Sequence, residues 1–220
     1  MEPEIEKTIS RLEKKTRTFH PDPIAGENFS RIASIVSSSY QRHGFILERA
    51  VFEQLKLCPR FKVWADPSFQ VTGNADQIVS ASLTDPSAID GVNHSYNIGE
   101  RILKIDALVF DTDTKRLGAY KIKRATFTAD SGKKRQMLQD LLCSKILLKS
   151  YGDKLDLNPE TIESRIIFYY GECSLPKPYA LTGEELDEHF GWDIRGPVEE
   201  VNELFQQRLF ALLGSNEVSP

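Results

Sequence analysis

An aspartate sits inside an apolar strand pattern, and two lysines sit inside the pattern that follows it. In residues 102–110 (ILKIDALVF), strand alternation sends Ile102, Lys104, Asp106, Leu108 and Phe110 to one face and Leu103, Ile105, Ala107 and Val109 to the other. A lone carboxylate is far too costly to bury, so Asp106 must have a partner. In residues 119–125 (AYKIKRA), Lys121 and Lys123 share a face and Ile122 takes the other. The polar stretch 111–116 (DTDTKR) reads as the turn of a hairpin, and an even number of turn residues brings Asp106 to the face of both lysines, within cross-strand reach. Three charged side chains then converge on one apolar patch. They form either a structural ion pair or a site.

The charge around this patch is uneven. The chain of 220 residues carries a formal net charge of -4, with an isoelectric point near 5.7. Between Lys115 and Lys149, however, ten basic residues face only Asp130 and Asp140, a net +8 that leaves -12 elsewhere. A basic region on an acidic body addresses polyanions at one face, although such runs are also simply solvated surface. Lys133, Lys134 and Arg135 fall in the first turn of an expected helix, against the preference of a helix N-terminus for acids, as suits a docked anion.

The elements that position these residues follow from apolar spacing. Residues 3–17 read as a peripheral helix ended by Pro21 and Pro23, and 27–57 as a long helix with Phe29, Ile32, Val36, Tyr40, Leu47, Val51 and Leu55 in one stripe. Short strands are expected over 61–65 and 77–83, then a surface loop over 84–99 and the hairpin. A third helix is expected over 131–151 with Gly152 as its stop. RIIFYY at 165–170 reads as a strand buried on both faces, and Thr182 and Glu185 as a capping box before a short helix. A last helix runs from Pro197 to Leu213. The order gives a single α/β domain over 1–220: a peripheral part (1–26), a core (27–170) and C-terminal helices (171–220).

These residues resemble the PD-(D/E)XK nuclease superfamily, the restriction-endonuclease-like proteins, over roughly residues 40–150. The resemblance rests on Asp106, the triplet Lys121-Ile122-Lys123, the preceding helix around Glu48 and the following helix KKRQMLQD (133–140), which fall in the family's order. It implies a central mixed sheet flanked by helices and Mg²⁺-dependent (or Mn²⁺-dependent) cleavage of DNA phosphodiester bonds, with DNA as partner and a homodimer as an expectation. Asp106, Glu48 and the Ile122 carbonyl would hold the metal. Lys123 would orient the attacking water and stabilise the pentavalent phosphate. Lys133, Lys134, Arg135, Gln136 and Arg124 would contact DNA. Lys121 stands where the family has an acid. That reverses a charge beside a divalent ion that needs oxygen ligands, so the chain is expected to be catalytically impaired. Three explanations stay open: an inactivating substitution, decay into a non-catalytic DNA-binding or assembly protein, or migration of the acid to Asp140.

Other chemistries have less behind them. Cys58, Cys143 and Cys173 lack CxxC spacing, and His20, His43, His94 and His189 lack metal-ligand spacing, which disfavours zinc sites. GxxxxGK[ST] and GxSxG do not occur, disfavouring P-loop and α/β-hydrolase chemistry. With no run of eighteen apolar residues and an acidic start (MEPEIEKTIS), the chain reads as soluble and cytoplasmic.

Overall fold

The five helices read from the sequence lie near their expected bounds among the described residues, and the structure departs from expectation at 77–83, at Gly152 and in a fifth strand. A computed structural model describes residues 1–15, 20–125, 131–171 and 175–214. The element order is α1 (Glu2–Lys15), α2 (Gly26–Leu57), β1 (Phe61–Val71), α3 (Gly73–Ser82), β2 (Arg101–Asp111), β3 (Arg116–Ala125), α4 (Ser131–Lys154), β4 (Thr161–Tyr170), β5 (Ala180–Thr182), α5 (Leu186–Phe190) and α6 (Arg195–Gly214). Contacts divide the chain into two compact units, one made of Met1–Val51 and the chain from Asp193, the other of Phe52–Trp192.

The first unit is helical. Ile5, Ile46 and Phe205 form one small core and Leu12, Ile35 and Leu212 a second, so α1, most of α2 and α6 share apolar faces. His43 is buried there, its Nε2 3.0 Å from Asn202 Oδ1 and its ring against Phe205.

The second unit is α/β. Among the described residues its strands form one sheet in the order β1-β2-β3-β4-β5. β1-β2 and β2-β3 are antiparallel, while β3-β4 and β4-β5 are parallel. The mixed sheet and flanking helices expected from the sequence are present. α3 and α4 cover one sheet face through Ala75, Val79, Leu141, Leu142 and Ile146, packed against Leu108, Leu117, Ile166 and Phe168.

Segment 77–83, expected as a strand, belongs to α3. Thr72 caps that helix by accepting the Ala75 N–H at 3.3 Å, Asp76 lies in the first turn, and Ala75 and Val79 are buried at helical spacing. The Ile78-Val79 pair mimicked a strand because a short apolar run has no readable period. Gly152 does not stop α4, which runs on to Lys154; a Cβ at Gly152 would lie 2.8 Å from Leu117 Cδ2 and Pro159 Cγ, so the glycine serves close packing. β5 pairs Leu181 with Ile167 and was not foreseen. The capping box at Thr182 and Glu185 is formed.

On the sheet face opposite α4, Glu163 of β4 is held by the buried Tyr120 hydroxyl, by His189 Nε2 at 3.1 Å and by Arg165 Nε at 2.8 Å. Burial alone would raise its pKa. The hydrogen bond and charge of His189, with Tyr120 and Arg116, outweigh that and pull it down to about 2. A carboxylate held below its unfolded value stabilises the fold above that value, and the benefit disappears as pH falls through about 4.5 toward 2. Glu163→Gln is expected to cost on the order of 3 kcal/mol at neutral pH and far less near pH 2. Urea melts of both proteins across pH check this; a pH-independent difference would contradict it.

Candidate functional site

The site is built where the β2-β3 hairpin meets β4 and α4. β1 imposes a bulge on β2: Trp64 pairs with Leu108, yet Asp66 pairs with Ile105, so β2 carries one extra residue around Asp106 and Ala107. Leu103 and Ile105 therefore join Leu108 and Phe110 in one core cluster instead of facing the other way as strict alternation required. The hairpin register puts Asp111 opposite Arg116 and ends at Ala107 opposite Tyr120, one residue before Asp106 and Lys121. Beyond that point the Asp106 carboxylate stands in for a main-chain acceptor: its Oδ2 takes the Ile122 N–H at 2.9 Å.

The rest of that carboxylate is also engaged. Oδ1 lies 2.9 Å from Lys104 Nζ, an ion pair whose angle falls short of hydrogen-bond geometry, and the Asp106 side chain is only 3% exposed while Lys104 is 49% exposed. Lys121 donates from Nζ to the Lys104 carbonyl at 2.8 Å. Burial pushes the Lys123 ammonium below its ordinary pKa, the neighbouring charge of Lys121 adds to the shift, and Asp106 opposes it.

Lys104, Lys121 and Lys123 line a cavity of about 150 Å³ between the sheet and α4. Its buried walls are Ile105, Ala119, Leu141 and Ile166, with Ser144 and Ser164 between them; Asp106 does not line it. Asp140, the alternative acid, does line it, but its Oδ1 is 2.7 Å from Arg101 Nη1 and accepts from Gln136 Nε2 at 2.8 Å. Arg101 also clasps Asp76 at 2.7 Å, and this hydrogen bond holds the Asp76 carboxyl below the usual range. Burial, then the contact with Asp76, pushes the Cys143 thiol above its ordinary pKa, which disfavours the thiolate.

The other sequence candidates fall as follows. Glu48 is half-buried on the part of α2 that belongs to the helical unit, whereas Asp106, Lys121, Ile122 and Lys123 belong to the α/β unit. Lys133, Lys134, Arg135 and Gln136 are exposed at the start of α4, and Arg124 stacks its guanidinium 5.7 Å from the Tyr170 ring centroid. Cys173 and Asp130 lie outside the described residues. The 84–99 loop holds a short 3-10 turn (Pro86–Ile89) and docks on α4 through His94 N to Ile146 O at 2.7 Å and Tyr96 N to Ser150 Oγ at 3.0 Å.

These residues do not fit a Mg²⁺ cage as they stand. Asp106 has one oxygen on a backbone N–H and the other on an ammonium, and a second ammonium, that of Lys121, stands where the resemblance calls for an acid. Among the described residues no group of three or more His, Cys, Asp or Glu is placed to hold a metal ion. What the arrangement offers is a half-buried cationic cleft with aliphatic walls. Sequence reasoning missed the cavity's Lys104, Ser144 and Ser164. Lys104 was legible, lying two residues before Asp106; the two serines had only the faint signal of a hydroxyl inside an apolar run. No helix among the described residues is long and apolar enough to cross a membrane. No family model matches this chain, and neither a curated protein nor a solved structure is significantly similar to it.

Proposed function

We propose that this chain is a DNA-binding protein on a restriction-endonuclease-like framework, whose ancestral chemistry is Mg²⁺-dependent phosphodiester hydrolysis and whose present cleft binds phosphate without cutting it. One observation carries the reading: Lys104, Lys121 and Lys123 crowd a single cleft where a metal cage would need carboxylates, while Asp106 is neutralised behind them. Lys104 is paired with Asp106, but the charges of Lys121 and Lys123 repel each other, and a bound phosphate relieves that repulsion. The framework part draws support from the element order, with Asp106 on β2, the Lys-Ile-Lys triplet on β3 and the basic start of α4 next in the chain. Lys133, Lys134 and Arg135 add exposed positive charge at the start of α4, Lys134 and Arg135 beside a separate shallow pocket with Leu83 and Leu175.

A second reading, an impaired endonuclease using Asp140, has the presence of that carboxylate in the cavity in its favour. The ion pair with Arg101 weakens it, because the same oxygen is already committed. Mobility shifts with mixed-sequence duplex at low salt, run beside plasmid digestion with Mg²⁺ or Mn²⁺, separate the two. Binding without cleavage is expected. No shift at low salt would remove the nucleic-acid reading, and chelator-sensitive cleavage lost in Asp140→Ala would favour the migrated acid.

A further inference from the structure

A glycine in a helix interior weakens the helix, and nothing within the chain requires Gly44 of α2. Its φ is not positive, and a Cβ there would meet no atom within 4 Å. Open space stands over this position. We propose that the first half of α2 is a self-association surface, on which two copies of the chain pack α2 antiparallel against α2 about a two-fold axis between Val36 and Ser37. This inference goes beyond the nucleic-acid reading and uses none of its cleft.

Helical spacing defines the face. Phe29, Ala33, Val36, Ser37, Tyr40 and Gly44 lie within about 50° of one line along the helix, at about 100° per residue. Phe29 is 74% and Tyr40 54% exposed, whereas Ile35, Ser38 and Ser39, turned away from that line, are buried. Further along α2 the same line reaches Leu47 and Val51, both fully buried. An apolar stripe that is covered in its later turns is therefore bare in its earlier ones.

Charge points the same way. Between Glu27 and Glu48 the only Lys, Arg, Asp or Glu residues are Arg31 and Arg42, and both fall on the opposite side of the helix from this line. A helix side that faces water normally carries charge along its length. About four turns without any suit a side that another apolar helix covers.

The pattern of sizes names the occupant. An antiparallel pair with its axis between Val36 and Ser37 sets Phe29 of one copy over Gly44 of the other, Tyr40 over Ala33 and Val36 over Ser37. Each larger side chain meets a small one, and the open space over Gly44 receives a phenyl ring. Such self-complementarity is what a two-fold interface demands, since every contact occurs twice. Parallel packing would instead oppose Phe29 to Phe29 and leave Gly44 unfilled.

Area is sufficient. Ile24, 97% exposed just before the helix, leaves with Phe29, Ile32 and Tyr40 on the order of 500 Å² in water per copy. Two copies then bury about 1,000 Å², the lower limit for a specific interface and a size suited to a micromolar dimer.

Sedimentation equilibrium on the chain without DNA tests the proposal. A dimer with Kd on the order of 10 µM is expected, changing less than about twofold between 0.1 and 1 M NaCl because no charge pair crosses the face. Ala33→Glu should weaken it at least about tenfold, by placing an unpaired charge in the contact. Gly44→Leu should weaken it at least about fivefold while its Tm in dilute solution stays at or above that of the unchanged protein, since a lone chain has room for the side chain and leucine favours a helix. Phe45→Glu, at a residue 69% exposed on another side of α2, should leave Kd within about twofold. A monomer at every concentration up to about 200 µM overturns the proposal. So does a dimer that salt disperses, that Ala33→Glu or Gly44→Leu leaves intact, or that Phe45→Glu weakens equally. DNA binding is measured apart from this, so either reading fails without the other.

Discussion

Lys121→Glu is expected to lower affinity for duplex DNA at least tenfold and to create a divalent-cation site. The substitution changes the cleft by two charge units, and each unit about 5 Å from a phosphate is worth roughly 1 to 3 kcal/mol between aqueous and protein-surface dielectrics. Tenfold in affinity needs only about 1.4 kcal/mol. The change also deletes the ammonium held by the Lys104 carbonyl and puts a carboxylate on β3 one residue past the Ala107–Tyr120 pair, next to the strand that carries Asp106. Anisotropy gives the affinity, and a chelator-reversible rise in Tm with Mn²⁺ or Mg²⁺ gives the metal site. Plasmid digestion by the same variant tests the proposed ancestral chemistry: cleavage abolished by chelator and by a further Asp106→Ala supports a nuclease origin. Unchanged DNA affinity in Lys121→Glu would show that Lys121 lies off the phosphate path.

Asp106 gives the second large effect, and in a direction that separates a structural carboxylate from a metal ligand. Asp106→Ala leaves the Ile122 N–H of β3 without its acceptor inside the sheet, at a cost of about 2 to 3 kcal/mol. Asp106→Asn keeps an amide oxygen for that N–H and is expected to cost about 1 kcal/mol, the ion pair with the half-exposed Lys104 being worth little. Both substitutions remove a negative charge behind the lysines, so DNA binding in chelator should strengthen. Denaturant melts and anisotropy on the two variants check both halves. DNA binding that Mg²⁺ strengthens in the unchanged protein and not in Asp106→Asn would instead mark Asp106 as a ligand.

The hairpin and its charged residues were legible because period-two patterning is local and the turn residues fix the register. The bulge at Asp106 was not, because it is imposed by β1, whose pairing jumps from Leu108 to Ile105. That jump changes which residues share a face with Asp106 and turns the carboxylate into a replacement for a ladder acceptor. The length of α2 and the capping box at Thr182 were readable from helical spacing and cap chemistry, but the expected α2 stripe held only in its later part: Leu47, Val51 and Leu55 are buried, whereas Phe29, Ile32 and Tyr40 are exposed and Ile35 and Ile46 are buried instead. α3 was not, since its apolar run is too short to distinguish a period of two from one of 3.6. The cavity has no local signature. Ser144 and Ser164 meet only because α4 crosses β4, and Arg101 reaches Asp140 across 39 residues of sequence. Asp140 was legible as a carboxylate on the helix after the triplet, but not its neutralisation.

The salt dependence of DNA binding in chelator tests the central claim, that this cleft holds phosphate on ammonium groups without a metal. The logarithm of the binding constant should fall linearly with the logarithm of salt concentration, and the slope should shrink by about one for each phosphate contact removed, in Lys121→Gln, in Lys123→Gln and additively in the double variant. Binding that requires Mg²⁺, or a slope that neither substitution changes, would contradict the account.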